Sequence, residues 1–275
     1  MKNTSLTLLL LTAPLFAGVS APMAPAPQSD CEQGWTLSLE AMALRPYQSD
    51  DAYNQDSYEF AGRISVGYQF NDCLFTKVTY FGYDQEVYTD NYNDGDGYIN
   101  NYNTDLKVSY LDWVVGQHFK PSDKLTLSPF VGLRWGTFDD VKKHLYDDNG
   151  SGYKYTSGDE FSGLGVVVGI EGTRSLGNSF SLYGTAKQSV LFGSRDEIDR
   201  QSAFGDTNYS TYDDTTSSDS VGFVSELGLG VQYDFTFSNV AANIRAGVEG
   251  QYWAGLSDGA NTGLAGFVLG ANFRF

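Results

Sequence analysis

The chain has 275 residues, 17 of them basic and 34 acidic, for a formal charge of −17 at pH 7; that charge repels nucleic acid and sets aside that class of partner. Gly (31), Tyr (19) and Phe (18) are abundant and Pro (7) is scarce, which favours strands and turns over helices. Mean hydropathy is −0.30, and beyond the N-terminus no apolar run reaches the roughly 18 residues of a spanning helix, so a place in a bilayer would require a closed β-barrel.

The N-terminus reads as an export signal. Lys2 gives the positive start, residues 6–19 an apolar core, and Ala17, Ala21 and Ala24 small cleavage positions. Pro22 disfavours cleavage directly after Ala21. Residues 1–24 are assigned to the signal, 25–34 to a flexible periplasmic spacer and 35–275 to the folded domain. Loss of Lys2 leaves 16 basic and 34 acidic residues, a charge of −18. The residues before Cys31 do not form a lipid-attachment box. Two cysteines in an exported chain, Cys31 and Cys73, are expected to form one disulfide.

From Trp35 onward the pattern predicts ten strands, because apolar residues recur at every second position. The first, 35–47, aligns Trp35, Leu37, Leu39, Ala41 and Ala43. The second, 57–70, sets Tyr58, Phe60, Ile64, Val66, Tyr68 and Phe70 against Glu59, Arg63, Ser65 and Gln69. The third is 74–83. The fourth ends at Phe119, with Leu111, Trp113 and Val115 opposite Asp112, Gly116 and His118. The fifth, 125–138, carries Leu125, Leu127, Val131, Leu133 and Trp135. The sixth, 161–173, sets Leu164, Val166, Val168 and Ile170 against Gly163, Gly165, Gly169 and Glu171. The seventh is 180–192. The eighth, 221–235, opposes Leu227, Leu229, Val231, Tyr233 and Phe235 to Glu226, Gly228, Gly230, Gln232 and Asp234. In the ninth, 240–253, Asn243, Arg245, Glu249 and Gln251 alternate with Ile244, Ala246 and Val248. The tenth, 263–275, aligns Ala265, Phe267, Leu269, Ala271, Phe273 and Phe275.

The links between these strands alternate long, short, long, short. That asymmetry is what a transmembrane antiparallel barrel with short periplasmic turns and long extracellular loops requires. An even strand count puts both ends of the barrel chain on the periplasmic side. Outward aromatics fall near the short turns (Trp35, Phe70, Phe119, Phe180, Tyr233, Phe235, Phe273) and near the long loops (Tyr58, Trp135, Phe192, Phe223, Tyr252), as two membrane-interface girdles would. Cys31 precedes the first strand and Cys73 follows the second, so the hairpin brings them together. The fold expected is all-β: a barrel of about ten strands with acidic outer loops.

The face opposite the lipid carries Glu40, Glu59, Asp112, Glu171, Glu226, Asp234 and Glu249 beside Arg63, Lys77, Arg134, Lys187 and Arg245. Their near balance predicts a ladder of ion pairs lining the lumen, with a path for ions or small solutes as the functional alternative. Lumen-facing glycines at 163, 165, 169, 228 and 230 leave room for a channel or for long Arg and Lys side chains. The acidic loops would concentrate cations and bridge lipopolysaccharide through divalent ions. Residues 90–97 resemble a calcium loop but place Tyr92 where an oxygen ligand is needed, so no metal site is assigned. His118 reads as structural. His144, near Asp139 and Asp140, is the one candidate for an outer-rim hydrolase dyad. No serine-nucleophile, metal-cluster or phosphate-loop motif supports catalysis, so no enzyme, catalytic residue or cofactor is assigned.

The strings LTLSPFVGLRW (125–135), the Gly-x-Glu-Gly and SLYG segments within 161–192, and QYW…GLAGFVLGANFRF (251–275) resemble the Legionella-type major-outer-membrane-protein family of pore-forming barrels. The resemblance implies an outer-membrane location in a Gram-negative-type bacterium and a porin-like role. The last strand resembles the closing strand of outer-membrane barrels, in which a terminal Phe is part of the signal read by the barrel-assembly machinery; Phe267, Leu269, Phe273 and Phe275 would form that signal here. The function expected is a porin-like barrel passing ions or small solutes, with cations preferred. The alternative is a non-conducting structural or adhesive barrel acting through its loops.

Overall fold

Period-two alternation with β-branched and aromatic residues gives strands almost throughout. The computed structural model describes residues 31–48, 57–93, 97–206, 208–237, 240–257 and 261–275. The export signal and most of the spacer lie outside these residues. Ten long strands span the wall: β1 (Gly34–Gln48), β2 (Glu59–Gln69), β3 (Leu74–Asn93), β4 (Tyr98–Gln117), β6 (Leu125–Asp148), β7 (Ser151–Gly177), β8 (Phe180–Phe204), β9 (Tyr212–Phe237), β10 (Val240–Ala254) and β11 (Thr262–Arg274). A four-residue piece, β5 (Phe119–Ser122), continues the lower end of β4 along β6. Each long strand pairs antiparallel with its neighbours, and β1 pairs with β11 from Thr36↔Arg274 to Gln48↔Thr262. The sheet therefore closes on itself and leaves no long edge. The terminal Phe275 amide donates to the Trp35 carbonyl at 3.0 Å, which seals the seam to its last residue.

Three of the expected long loops are strands instead. Residues 84–103, 139–160 and 193–220 mostly continue β3–β4, β6–β7 and β8–β9 as tall hairpins. Their outer face meets water, so Thr, Tyr, Asn and Ser replace the apolar residues that announce a strand in lipid. Strand propensity persists in Thr and Tyr after the hydrophobic period is lost. The β6–β7 tip is a two-residue turn with Asn149 and Gly150 both at positive φ (54° and 85°), the conformation that an Asn-Gly pair favours. At the opposite rim β7 runs on to Gly177, so the turn there narrows to Asn178 and Ser179.

The outer wall carries a mainly apolar band, in which Gln188 and Ser225 face outward and bond each other at 2.6 Å. β6 climbs from Leu125 at the lower rim to Trp135 at the upper girdle. At about 3.3 Å per residue and a tilt of about 40° this rise is roughly 25 Å, the height of the apolar band of a membrane barrel. The predicted girdle aromatics are exposed on that face, apart from half-buried Phe273. So large an apolar surface would drive aggregation in water, and lipid is the solvent that matches it. A Cys31–Cys73 disulfide, Cα–Cα 5.1 Å, ties the segment before β1 to the β2–β3 turn across 42 residues. Closing a loop of that size removes about 4 kcal/mol of unfolded-chain entropy.

Candidate functional site

Eight of the charges expected to face the lumen meet at mid-height. Arg63, reaching across from β2, contacts Glu40 at 2.8 Å and Glu226 at 3.4 Å and grips Glu249 with both terminal nitrogens. Arg134 donates to both oxygens of Asp112, at 2.6 and 2.7 Å, and contacts Glu226 at 2.6 Å. It also donates to Ser189 at 3.0 Å and lies 3.8 Å from the Tyr110 ring centroid. Lys187 reaches Glu226 at 2.9 Å, and Arg245 pairs with Glu40. Four cations and four carboxylates thus form a neutral belt across the barrel. Arg134 is 0% and Glu226 1% exposed. Charges this dry are tolerated only when fully paired. The ladder reading is the one the geometry supports.

Directly above the belt, toward the tall hairpins, the lumen is filled with apolar side chains. Met42, Leu44, Ala61, Phe81, Tyr83, Leu106, Val108, Phe138, Phe161, Leu191, Val224, Trp253 and Leu264 form one buried cluster. Every one of the ten long strands contributes to it. Leu256, from the β10–β11 connection, tucks in from above. Trp253 stacks against Tyr110 and Phe138, both at 6.4 Å between ring centres. At this level lumen glycines make space for these groups. A Cβ on Gly163 would lie 2.5 Å from the Phe161 ring, and one on Gly222 would collide with Leu256. The Phe130 ring likewise fills the space beside Gly169. The plug is coupled to the belt, because the Trp253 indole donates to Gln251 at 3.1 Å and the Gln251 amide donates to Glu249 at 3.0 Å.

Sequence reasoning missed this layer, although its signal was present. Near their upper ends the strands carry apolar doublets, Leu191–Phe192, Phe223–Val224 and Tyr252–Trp253. A doublet makes both faces of the wall apolar at that height.

Below the belt lies a polar vestibule of about 740 Å³ that reaches the short-turn rim at Ser179, Thr236 and Arg274. The Lys77–Glu171 ion pair and Asp234 lie on its wall. His118 is structural as expected: its Nδ1 bonds Ser128 at 2.6 Å and its ring stacks on Phe75 at 4.7 Å. Glu59 sits higher on β2, opposite Leu44, and takes no part in the belt. Phe267, Leu269 and Phe275 are exposed on the lipid side.

On the tall hairpins His144 bonds the Asn100 side-chain oxygen at 2.7 Å and stacks on Tyr102 at 3.9 Å. Tyr153 lies 3.4 Å from its other nitrogen. The expected pairing with Asp139 or Asp140 is not made: Asp140 accepts from Gln48 at 2.9 Å, and Asp139 lies between Lys107 and Glu160 in the sheet register. Asp139 stands beyond the upper girdle, and burial together with the Glu160 charge pushes its carboxyl up to about 6. The folded chain therefore keeps a proton that the unfolded chain releases near pH 4. This group stabilises the fold fully below pH 4, and its contribution is lost as pH rises through 6. Asp139→Asn should raise stability at pH 7 by on the order of 1 kcal/mol after solvent screening. It should also flatten the pH 4–6 slope of urea unfolding midpoints; an unaltered slope would refute the assignment.

Comparison with known proteins finds other outer-membrane proteins. Among solved structures, the outer membrane protease OmpT from Escherichia coli is similar at 11% identity, over 88% of this chain and 97% of that one, with a TM-score of 0.53. A major outer membrane protein from Thermus thermophilus gives 13% identity, 88% and 99% coverage and a TM-score of 0.40. Neisserial surface protein A gives 16% identity, 88% and 97% coverage and a TM-score of 0.34. At such identity the OmpT likeness speaks for the fold alone. No curated protein matches the sequence. Residues 27–266 match the family described as Legionella pneumophila major outer membrane protein precursor. With an outer-membrane β-barrel fold and a family match across most of its length, this chain belongs to the Legionella major outer membrane protein family.

Proposed function

We propose that this outer-membrane barrel is sealed, and that it works by holding its tall hairpins outside the cell rather than by passing solutes. The observation that carries this reading is the apolar layer to which all ten long strands contribute. A dry constriction of this kind excludes water, and with it ions. The neutral belt beneath adds a second barrier, since an ion moving through it would break the buried pairs around Arg134 and Glu226. A porin-like path is the second reading. It is favoured by the polar vestibule at the short-turn rim and requires the plug to move. The outward Phe267, Leu269 and Phe275 suit recognition by the barrel-assembly machinery, and the apolar band suits lipid and the acyl chains of lipopolysaccharide.

The test is planar-bilayer recording of the purified, folded barrel. The expected trace has no discrete steps in molar salt. Reproducible steps from the folded protein would overturn the sealed reading and restore the porin-like one.

A further inference from the structure

The tyrosines of the tall hairpins do not form part of the membrane girdle, because they point the other way. On β4 the alternation that turns Leu106, Val108 and Tyr110 into the lumen continues upward through Tyr102, Asn100 and Tyr98. Asn100 is paired with Tyr146, Tyr102 with His144, and Tyr146 with Tyr153. These side chains therefore line the concave face above the plug. The rings are in mutual contact: Tyr98–Tyr146 at 5.6 Å, Tyr146–Tyr153 at 5.5 Å, and Tyr153–Tyr209 at 4.6 Å. Unlike the plug below, the cluster is open. Tyr92 is 57%, Tyr209 45% and Tyr102 41% exposed.

The hairpins are also held together. The Asn149 amide donates to the Gly97 carbonyl at 2.9 Å, joining the β3–β4 and β6–β7 tips, and the Asp206 amide donates to the Ser151 hydroxyl at 3.1 Å, joining the β6–β7 and β8–β9 tips. The cup is preformed, so a ligand need not order it. Its surroundings are acidic. The described residues of segments 84–93, 97–107, 139–160, 195–206 and 208–219 include 17 Asp and Glu against 6 Lys and Arg. Asp90 pairs with Tyr102 and Asp148 with Tyr98 in the register, which sets carboxylates beside the rings.

We infer that this cup docks a cationic peptide segment of an external protein, with its Arg and Lys side chains over the tyrosine faces and its charge matched by the carboxylates. The inference rests on the reading of the hairpins as the working part of the protein. Electron-rich ring faces attract cations, and Arg stacks on them better than Lys. The chain uses the same contact internally, between Arg134 and Tyr110. An anionic glycan would be repelled here. A neutral glycan would stack on the rings but gain nothing from the surrounding charge.

The experiment uses the full-length barrel in detergent and a fluorescent nine-residue peptide alternating Arg with Ser, read by polarisation. A Glu–Ser peptide and a neutral maltoheptaose probe accompany it. The expected result is saturable binding of the Arg peptide that weakens with salt. Tyr102→Ala with Tyr209→Ala should reduce that affinity about tenfold, while Tyr102→Phe with Tyr209→Phe retains it. Asp147→Asn with Asp148→Asn should weaken binding and lessen its salt dependence. Absence of Arg-peptide binding overturns the inference. So does equal binding by the Tyr→Ala variant, which would reduce the effect to general charge attraction, and so does tighter binding of maltoheptaose. Conductance of the same preparation is recorded separately, so a conducting barrel would remove the sealed reading and leave the peptide result to stand or fall alone.

Discussion

On the sealed reading, Trp253→Ala combined with Phe81→Ser should turn a barrel without conductance steps into one that shows them. The two side chains come from β10 and β3, on different parts of the wall, and both are fully buried in the plug. Phe81 stacks on Tyr110 at 5.1 Å, and Trp253 bridges Tyr110 and Phe138. Removing both rings opens the centre of the layer, and the serine gives water a partner there. Dewetting then no longer seals the lumen, and ions reach the belt, whose charged groups are wettable. Buried aromatic truncations cost about 3–5 kcal/mol each. Retained heat-modifiable migration on gels must therefore accompany the recording. A folded variant that stays silent would move the seal from the plug to the belt.

The second large effect is expected at the belt itself. Arg134→Met removes the guanidinium that neutralises Asp112 and shares Glu226, and it leaves Asp112 without a cation in a dry interior. Such a loss costs about 3–5 kcal/mol, most of it the penalty of an uncompensated buried charge. Tryptophan fluorescence through a urea titration in detergent reads the change. Adding Asp112→Leu should recover much of the loss, because Glu226 keeps Lys187 and Arg63 as partners. If the double variant is as unstable as the single one, charge compensation is not what Arg134 contributes. A midpoint unchanged in Arg134→Met would remove the belt from the stability of the barrel altogether.

Both effects depend on features of unequal legibility. The inward charges are readable because Arg63, Glu226, Arg245 and Glu249 sit on the polar side of strongly alternating strands, and only one face of such a strand can meet lipid. Their partners are not readable. Glu226 lies in β9 and receives Arg134 from β6 and Arg63 from β2, contacts set by how the barrel curves. The plug is hidden because a residue such as Val224 or Leu264 looks the same whether it faces lipid or a packed lumen. The tall hairpins read as loops because water on both faces erases the hydrophobic period. The Asn149–Gly150 pair is the local sign that a hairpin turns there.

Side-chain periodicity and chain connectivity are local properties, and they are enough to establish four things. The strands are two-faced, they number ten across the membrane, tall and short connections alternate beyond the lipid, and Cys31 lies near Cys73. Whether the lumen is open emerges only in the assembled barrel. It depends on the sum of side-chain volumes that ten inward faces deliver to one level, and no single strand contains that sum. The same holds for the cup, because its rings meet only when three separate hairpins rise side by side.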